Sequence, residues 1–166
     1  MEKKAAILPS GCKAPDFCLK TTPDQVVSLA DFSGSPVVLV FYPADWSPVC
    51  GDELNLFNEA ISEIQRYGAR VLAVSVDNVW SHLAFTKACK FRFPLASDFE
   101  PKGQMAQSYG AYDRNAGVCG RALFLIDAAG VIRWSYLSPI GINPGVDGVL
   151  EALDDLGQSA KRKGAA

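Results

Sequence analysis

Val37-Val38-Leu39-Val40-Phe41-Tyr42, closed by Pro43, is an unbroken apolar, β-branched run, and its surroundings decide the fold class. With no polar alternation it predicts a strand buried on both faces, in a sheet with helices on each side. From about Gly51 to Tyr67 the period changes, and Leu54, Phe57, Ile61 and Ile64 recur at helical steps to give one apolar face. Asp52 and Glu53 are expected in the first turn of this helix, where acids suit the dipole, and Gly68 ends it. Val71–Val76 repeats the buried-strand pattern, and Val79 to about Lys90 reads as a second helix. Strand–helix–strand–helix order predicts at least one right-handed parallel crossover.

Working outward, residues 1–20 carry Pro9, Gly11 and Pro15 and read as loop with short strands, followed by a brief strand at Val26–Leu29. Phe93–Ala96 is a short strand at most, and Lys102–Tyr109 a short helix. Ala122–Ile126 turns through Asp127–Gly130 and returns antiparallel as Val131–Trp134, which makes the sheet mixed. Asn143-Pro144 is expected to cap and open a last helix, with the stripe Val146, Val149, Leu150, Leu153 and Leu156, stopped at Gly157. The expectation is one three-layer α/β domain over residues 1–160, then a frayed basic tail, 161–166.

Composition narrows the function classes. The 166 residues are 49 % apolar and 20 % charged, which is globular rather than disordered. Lysine plus arginine (16) against aspartate plus glutamate (18) leaves no basic excess for a nucleic-acid backbone. No stretch approaches the ~20 apolar residues of a membrane helix, and the apolar run after the basic start is too short for a signal peptide. A cytoplasmic, reducing setting follows as the expectation. There, the five cysteines Cys12, Cys18, Cys50, Cys89 and Cys119 are an odd set and not a disulfide framework. They lack the close pairs of a zinc site, and no glycine run cradles a phosphate, so neither metal nor cofactor is expected. The single histidine, His82, reads as a structural hydrogen-bonding residue.

Chemistry concentrates at Pro43-Ala44-Asp45-Trp46-Ser47-Pro48-Val49-Cys50, where a buried strand gives way to a helix. Unpaired N–H groups at a helix start favour negative charge, and such placement raises the thiolate fraction of a cysteine. Ser47 has a hydroxyl within reach of the sulfur or of an oxygen bound to it. Asp52 and Glu53 oppose a thiolate unless turned away or paired with an arginine.

Pro43, Ser47 and Cys50 resemble the peroxiredoxin signature: proline, three residues, threonine or serine, two residues, cysteine. Glu53 stands where that family usually has a glutamate. Ala14-Pro15-Asp16-Phe17, Ser75-Val76-Asp77 with Ser81-His82, Phe93–Asp98 and Gly120-Arg121 through Asp127 extend the resemblance over nearly the whole chain. The resemblance is to the bacterioferritin-comigratory and alkyl-hydroperoxide-reductase E branches.

The resemblance implies a thioredoxin-like three-layer fold and a thiol-dependent peroxidase for hydrogen peroxide and organic hydroperoxides. Cys50 would be the peroxidatic cysteine, oxidised to a sulfenic acid. Arg121 and Ser47 would donate to the peroxide oxygens, and Pro43 would shield the sulfur. Trp46 would wall the pocket or meet a dimer partner. Asn55 stands where some branches place a same-helix resolving cysteine, and no late cysteine serves an intersubunit route. Cys89, between Lys87 and Lys90, resembles the resolving position of some relatives and is expected to be exposed and activated. Cys119 is the alternative, two residues before Arg121 and by alternation on its face. An external thiol is a third route. Cys12 and Cys18 read as unrelated thiols. A thioredoxin- or glutaredoxin-like reductant and a homodimer or monomer are implied, with no nucleic-acid or membrane partner. The competing readings are a thioredoxin-like disulfide oxidoreductase, which would want a Cys-x-x-Cys pair at the helix start, and a non-enzymatic redox-sensing holdase on the same scaffold.

Overall fold

The computed structural model describes residues 6–165. Strands β1 (Cys18–Thr22) and β2 (Gln25–Ser28) precede β3 (Val37–Phe41), and helices α1 (Pro48–Glu59) and α2 (Ile61–Arg66) follow it. Then come β4 (Arg70–Ser75), α3 (Val79–Cys89), β5 (Leu95–Ser97), α4 (Gln104–Ser108), β6 (Tyr112–Asp113) and β7 (Val118–Cys119). The chain closes with β8 (Arg121–Ile126), β9 (Ile132–Ser138) and α5 (Asp147–Gly164).

Seven strands form one mixed sheet in the order β2-β1-β5-β4-β3-β8-β9, and β6 and β7 pair separately. β3 runs parallel to β4 and antiparallel to β8, and each of its residues is buried. Its alternation feeds two cores. Val37, Leu39 and Phe41 join Ala14, Phe17, Met105, Ala106 and Tyr109 on one face. Val38 and Val40 join Leu54, Phe57, Ile61, Ile64, Phe85 and Leu153 on the other. The helices on this second face carry Cys50. The mixed sheet between helical layers is the thioredoxin-like α/β fold expected.

Several boundaries differ from the sequence expectation. The helix over 51–67 is two helices meeting at Ala60, although Ala60 N donates to Leu56 O and Ile64 N to Ala60 O at 3.0 Å each, so the apolar stripe continues. α1 starts at Pro48, because proline at the first helical position has no N–H to leave unpaired. Asp52 and Glu53 therefore lie beyond the first turn.

The last helix begins at Asp147 rather than Pro144. Asn143 Oδ1 instead accepts from Gly145 N at 2.9 Å, a local turn that competes with helix, and Gly145 takes φ +68°. α5 also runs through Gly157, whose cost of about 1 kcal/mol the helix absorbs. Lys161, Arg162 and Lys163 form the last turn of α5, where cations suit the dipole. Met1–Ala5 and Ala166 lie outside the described residues. Among the described residues no helix is long and apolar enough to cross a membrane.

Candidate active site

Ser47 is the extended residue capping α1, at φ −64° and ψ 134°, and Pro48 follows at the first helical position. Gly51 N is the first to meet its carbonyl, Ser47 O at 2.8 Å, leaving Val49 and Cys50 N–H without intrahelical partners. Cys50 is fully buried on the first turn. Opposite it stands Arg121, the first residue of β8, with Nη1 3.5 Å from Cys50 Sγ and donating to Glu53 Oε2 at 2.7 Å. Its other flank is fixed as well, since Nε and Nη2 both donate to Ile140 O at 2.9 and 2.7 Å. A guanidinium held on both sides in this way cannot swing from the sulfur, and a cation beside a thiol favours the thiolate.

Burial disfavours the Arg121 cation, but its hydrogen bonds to Glu53 and Cys50 outweigh that and hold its pKa above the ordinary value. Glu53 responds in the opposite sense to an exposed ion-paired carboxylate. Burial pushes its carboxyl up to about 7, against the lowering effect of Arg121. Its Oε1 is buried without a hydrogen-bond partner, the physical source of that penalty. The pairing with arginine anticipated for the acids therefore applies to Glu53, while Asp52 faces solvent.

The structure thus brings Cys50, Arg121 and Glu53 to one place, with Ser47 as the cap of the helix that carries Cys50. Ser47 is half-buried and its hydroxyl makes no capping bond. Pro43, also half-buried, opens the loop directly after β3 and Tyr42. Trp46 is 55 % exposed and packs its ring on Phe85 of α3, centroids 5.0 Å apart.

Two thiols stand differently from expectation. Cys119 does not share the face of Arg121: it lies in the core on the opposite side of the sheet from Cys50. The alternation breaks at Gly120, which belongs to neither strand and whose N–H donates to Ala111 O at 2.6 Å. Burial, then Asp98 and Asp77, pushes the Cys119 thiol far above its usual range. Cys89 is half-buried rather than exposed, at the end of α3 against the same core as Cys50, and burial raises its thiol pKa. The flanking lysines do face solvent. Asn58 of α1 ties down the chain just beyond Cys89: its Nδ2 donates to Lys90 O at 3.2 Å, its Oδ1 accepts from Arg92 N at 2.8 Å, and its carbonyl accepts from Arg92 Nη2 at 2.7 Å. Cys12 packs half-buried on the first core and Cys18 is exposed on β1.

The sequence reading missed the Ile140 carbonyl, which only the turn after β9 delivers. It also missed Tyr42 and Asp45. His82 is a buried hydrogen-bonding residue: its Nδ1 donates to Asp45 Oδ2 at 2.8 Å, and Nε2 lies 3.2 Å from Ala96 O. An aspartate one residue before a tryptophan, in the short loop after a buried strand, was the available signal. Among the described residues no group of His, Cys, Asp and Glu is arranged to hold a metal ion.

Comparison with known proteins agrees with this geometry. Residues 10–135 match the AhpC/TSA family. The chain belongs to that family, the peroxiredoxins. Alkyl hydroperoxide reductase E of Mycobacterium tuberculosis is 34 % identical over 132 residues, covering 79 % of this chain and 86 % of the relative. The chloroplastic 2-Cys peroxiredoxin BAS1 of Hordeum vulgare is 36 % identical over 157 residues, covering 88 % and 74 %. The crystal structure of Enterococcus faecalis AhpC superposes with a TM-score of 0.84 at 28 % identity, covering 94 % of this chain and 96 % of that one. This peroxiredoxin is accordingly an enzyme, a thiol-dependent peroxidase. The readings as a disulfide oxidoreductase or a non-enzymatic holdase are set aside.

Proposed function

We propose that Cys50 is the peroxidatic cysteine of an enzyme that reduces hydrogen peroxide and organic hydroperoxides. The observation that carries this is the Arg121 Nη1 placed 3.5 Å from the Cys50 sulfur and braced from behind by Ile140 O. In the reaction the thiolate attacks the terminal, hydrogen-bearing oxygen of ROOH in line with the O–O bond. An S–O bond forms, the O–O bond breaks, and its electron pair leaves with RO⁻, which takes a proton to become alcohol or water. Cys50 is left as the sulfenic acid. Negative charge moves from sulfur to the departing oxygen. Arg121, the Ser47 hydroxyl and the free N–H groups of Val49 and Cys50 are the donors that follow it, a stabilisation greatest in the transition state. Pro43 restrains the loop and shields the sulfur.

For regeneration we favour Cys89. A thiol attacking the sulfenic acid forms a disulfide and releases water, and Cys89 packs on the same core as Cys50. The bridge requires local opening of the first turn of α1 and the last turn of α3. A thioredoxin- or glutaredoxin-like dithiol then returns the enzyme to its reduced form. A homodimer and a cytoplasmic setting complete the proposal.

Treatment with one equivalent of hydroperoxide, followed by non-reducing peptide mapping, tests both parts. A Cys50–Cys89 bridge is expected. An oxidised but unbridged Cys50 assigns resolution to an external thiol, and an unmodified Cys50 removes its peroxidatic role.

A further inference from the structure

Three buried side chains meet around the loop that leads from β3 into α1. Tyr42, Asp45 and His82 are 0 %, 7 % and 1 % exposed. The Tyr42 hydroxyl donates to Asp45 Oδ1 at 2.6 Å and His82 Nδ1 to Asp45 Oδ2 at 2.8 Å, so both carboxylate oxygens are held. The Asp45 backbone is pinned as well. Its N–H donates to Asp77 Oδ2 at 2.9 Å, an oxygen that also accepts from the Ser75 hydroxyl at 2.6 Å. Asp45 is thereby tied to the end of β3, to α3 and to the turn between β4 and α3.

The next residue shows what this anchoring holds. Trp46 sits at φ +68°, a left-handed conformation unfavourable for a bulky L-residue. Such a conformation persists only when its surroundings over-determine it. Here Asp45 is fixed on one side, and the Trp46 ring is fixed on Phe85. After Trp46 comes Ser47, the cap of α1, and then the turn bearing Cys50.

We propose that Asp45 is a positioning residue: a buried carboxylate latch, closed by Tyr42 and His82, that forces Trp46 left-handed and so sets Cys50 against Arg121. The proposal rests on Cys50 being the sulfur that attacks peroxide. With the latch closed, the sulfur is enclosed and faces the guanidinium. With it open, Trp46 relaxes toward ordinary backbone, the first turn of α1 frays, and the sulfur leaves Arg121 for bulkier reaction partners. The latch therefore moves two reactivities of one atom in opposite directions: it raises reaction with peroxide and suppresses reaction with larger electrophiles. A purely structural role would move them together.

The test compares two rates at Cys50 in the reduced full-length chain: single-turnover oxidation by hydrogen peroxide, and alkylation by iodoacetamide read by peptide mass spectrometry. Asp45→Asn is expected to slow oxidation roughly tenfold or more and to speed alkylation severalfold. Tyr42→Phe removes one hydroxyl, keeps the Asp45–His82 pair, and is expected to move both rates the same way by less. It carries the test should Asp45→Asn fail to fold. Rates of both variants within twofold of the parent overturn the latch, as does a fall in both rates together in step with a lowered melting temperature. Peroxide consumption that survives Cys50→Ser identifies the other failure, that of the Cys50 assignment, whatever the latch variants do.

Discussion

Cys50 and Cys119 are equally sealed from solvent, each 0 % exposed, on opposite faces of one sheet. Around Cys119 the nearby charges are the carboxylates of Asp98 and Asp77, which add to burial in keeping the thiol protonated. Around Cys50 the near group is a guanidinium at 3.5 Å, and the sulfur sits on the first turn of a twelve-residue helix. Burial alone makes a cysteine an inert filler. The sign of the charge brought beside it is what separates the proposed nucleophile from a packing residue. That charge comes from a residue distant in sequence, placed by β3 lying between β4 and β8.

Replacing each sulfur breaks the comparison most severely. Cys50→Ser is expected to lower peroxide reduction by on the order of 1,000-fold or more, since the nucleophile is gone, whereas Cys119→Ala keeps the parent rate. A steady-state peroxide assay reads both, and an active Cys50→Ser protein would show the contrast to be misdrawn. Next in size is Arg121→Met, which leaves the sulfur in place and removes its cation. A loss of roughly 100-fold in kcat/KM is expected. Arg121→Lys recovers part of it, because one ammonium keeps the charge but cannot span sulfur, Glu53 and Ile140 O together.

A change at Glu53 sharpens the contrast through pH. The Glu53 carboxyl lies at about 7 when folded, against 4.5 for an unperturbed glutamate. Between those values the folded chain holds a proton that the unfolded chain has released. This group's contribution to stability is therefore full below about pH 4.5 and is lost as pH rises through about 7. Melting temperatures across that range should fall less steeply for Glu53→Gln than for the parent, and identical slopes would mean that Glu53 is not the titrating group. The smallest effect belongs to Cys119→Ala, which deletes a buried sulfur at a cost of about 1 to 2 kcal/mol with no change in activity. Urea denaturation measures it.

Much of the fold was legible because it rests on local periodicity. The Val37–Tyr42 run fills both cores, and the Leu54, Phe57, Ile61, Ile64 stripe faces one of them. Cys50 and Ser47 were legible for the same reason, since a strand end and a helix start are local signals. What escaped depended on competition or distance. Asn143 makes a turn where a cap was expected, and Gly120 interrupts an alternation that would have put Cys119 beside Arg121. The backbone carbonyl of Ile140 has no side-chain signature. The partnership of Asp45 with His82 joins residues 37 positions apart, through a crossover whose register no local pattern states.

One amide links the two candidate redox thiols. Asn58 lies on the helix of Cys50 and grips the backbone at Lys90 and Arg92, immediately past Cys89. Any excursion that carries Cys89 toward Cys50 must strain or release that grip. The Arg92 N–H, its nitrogen 2.8 Å from Asn58 Oδ1, is then a spectator placed to keep time. Its deuterium uptake in the reduced enzyme would count the openings that the proposed Cys50–Cys89 bridge requires, with no need to trap the bridge itself.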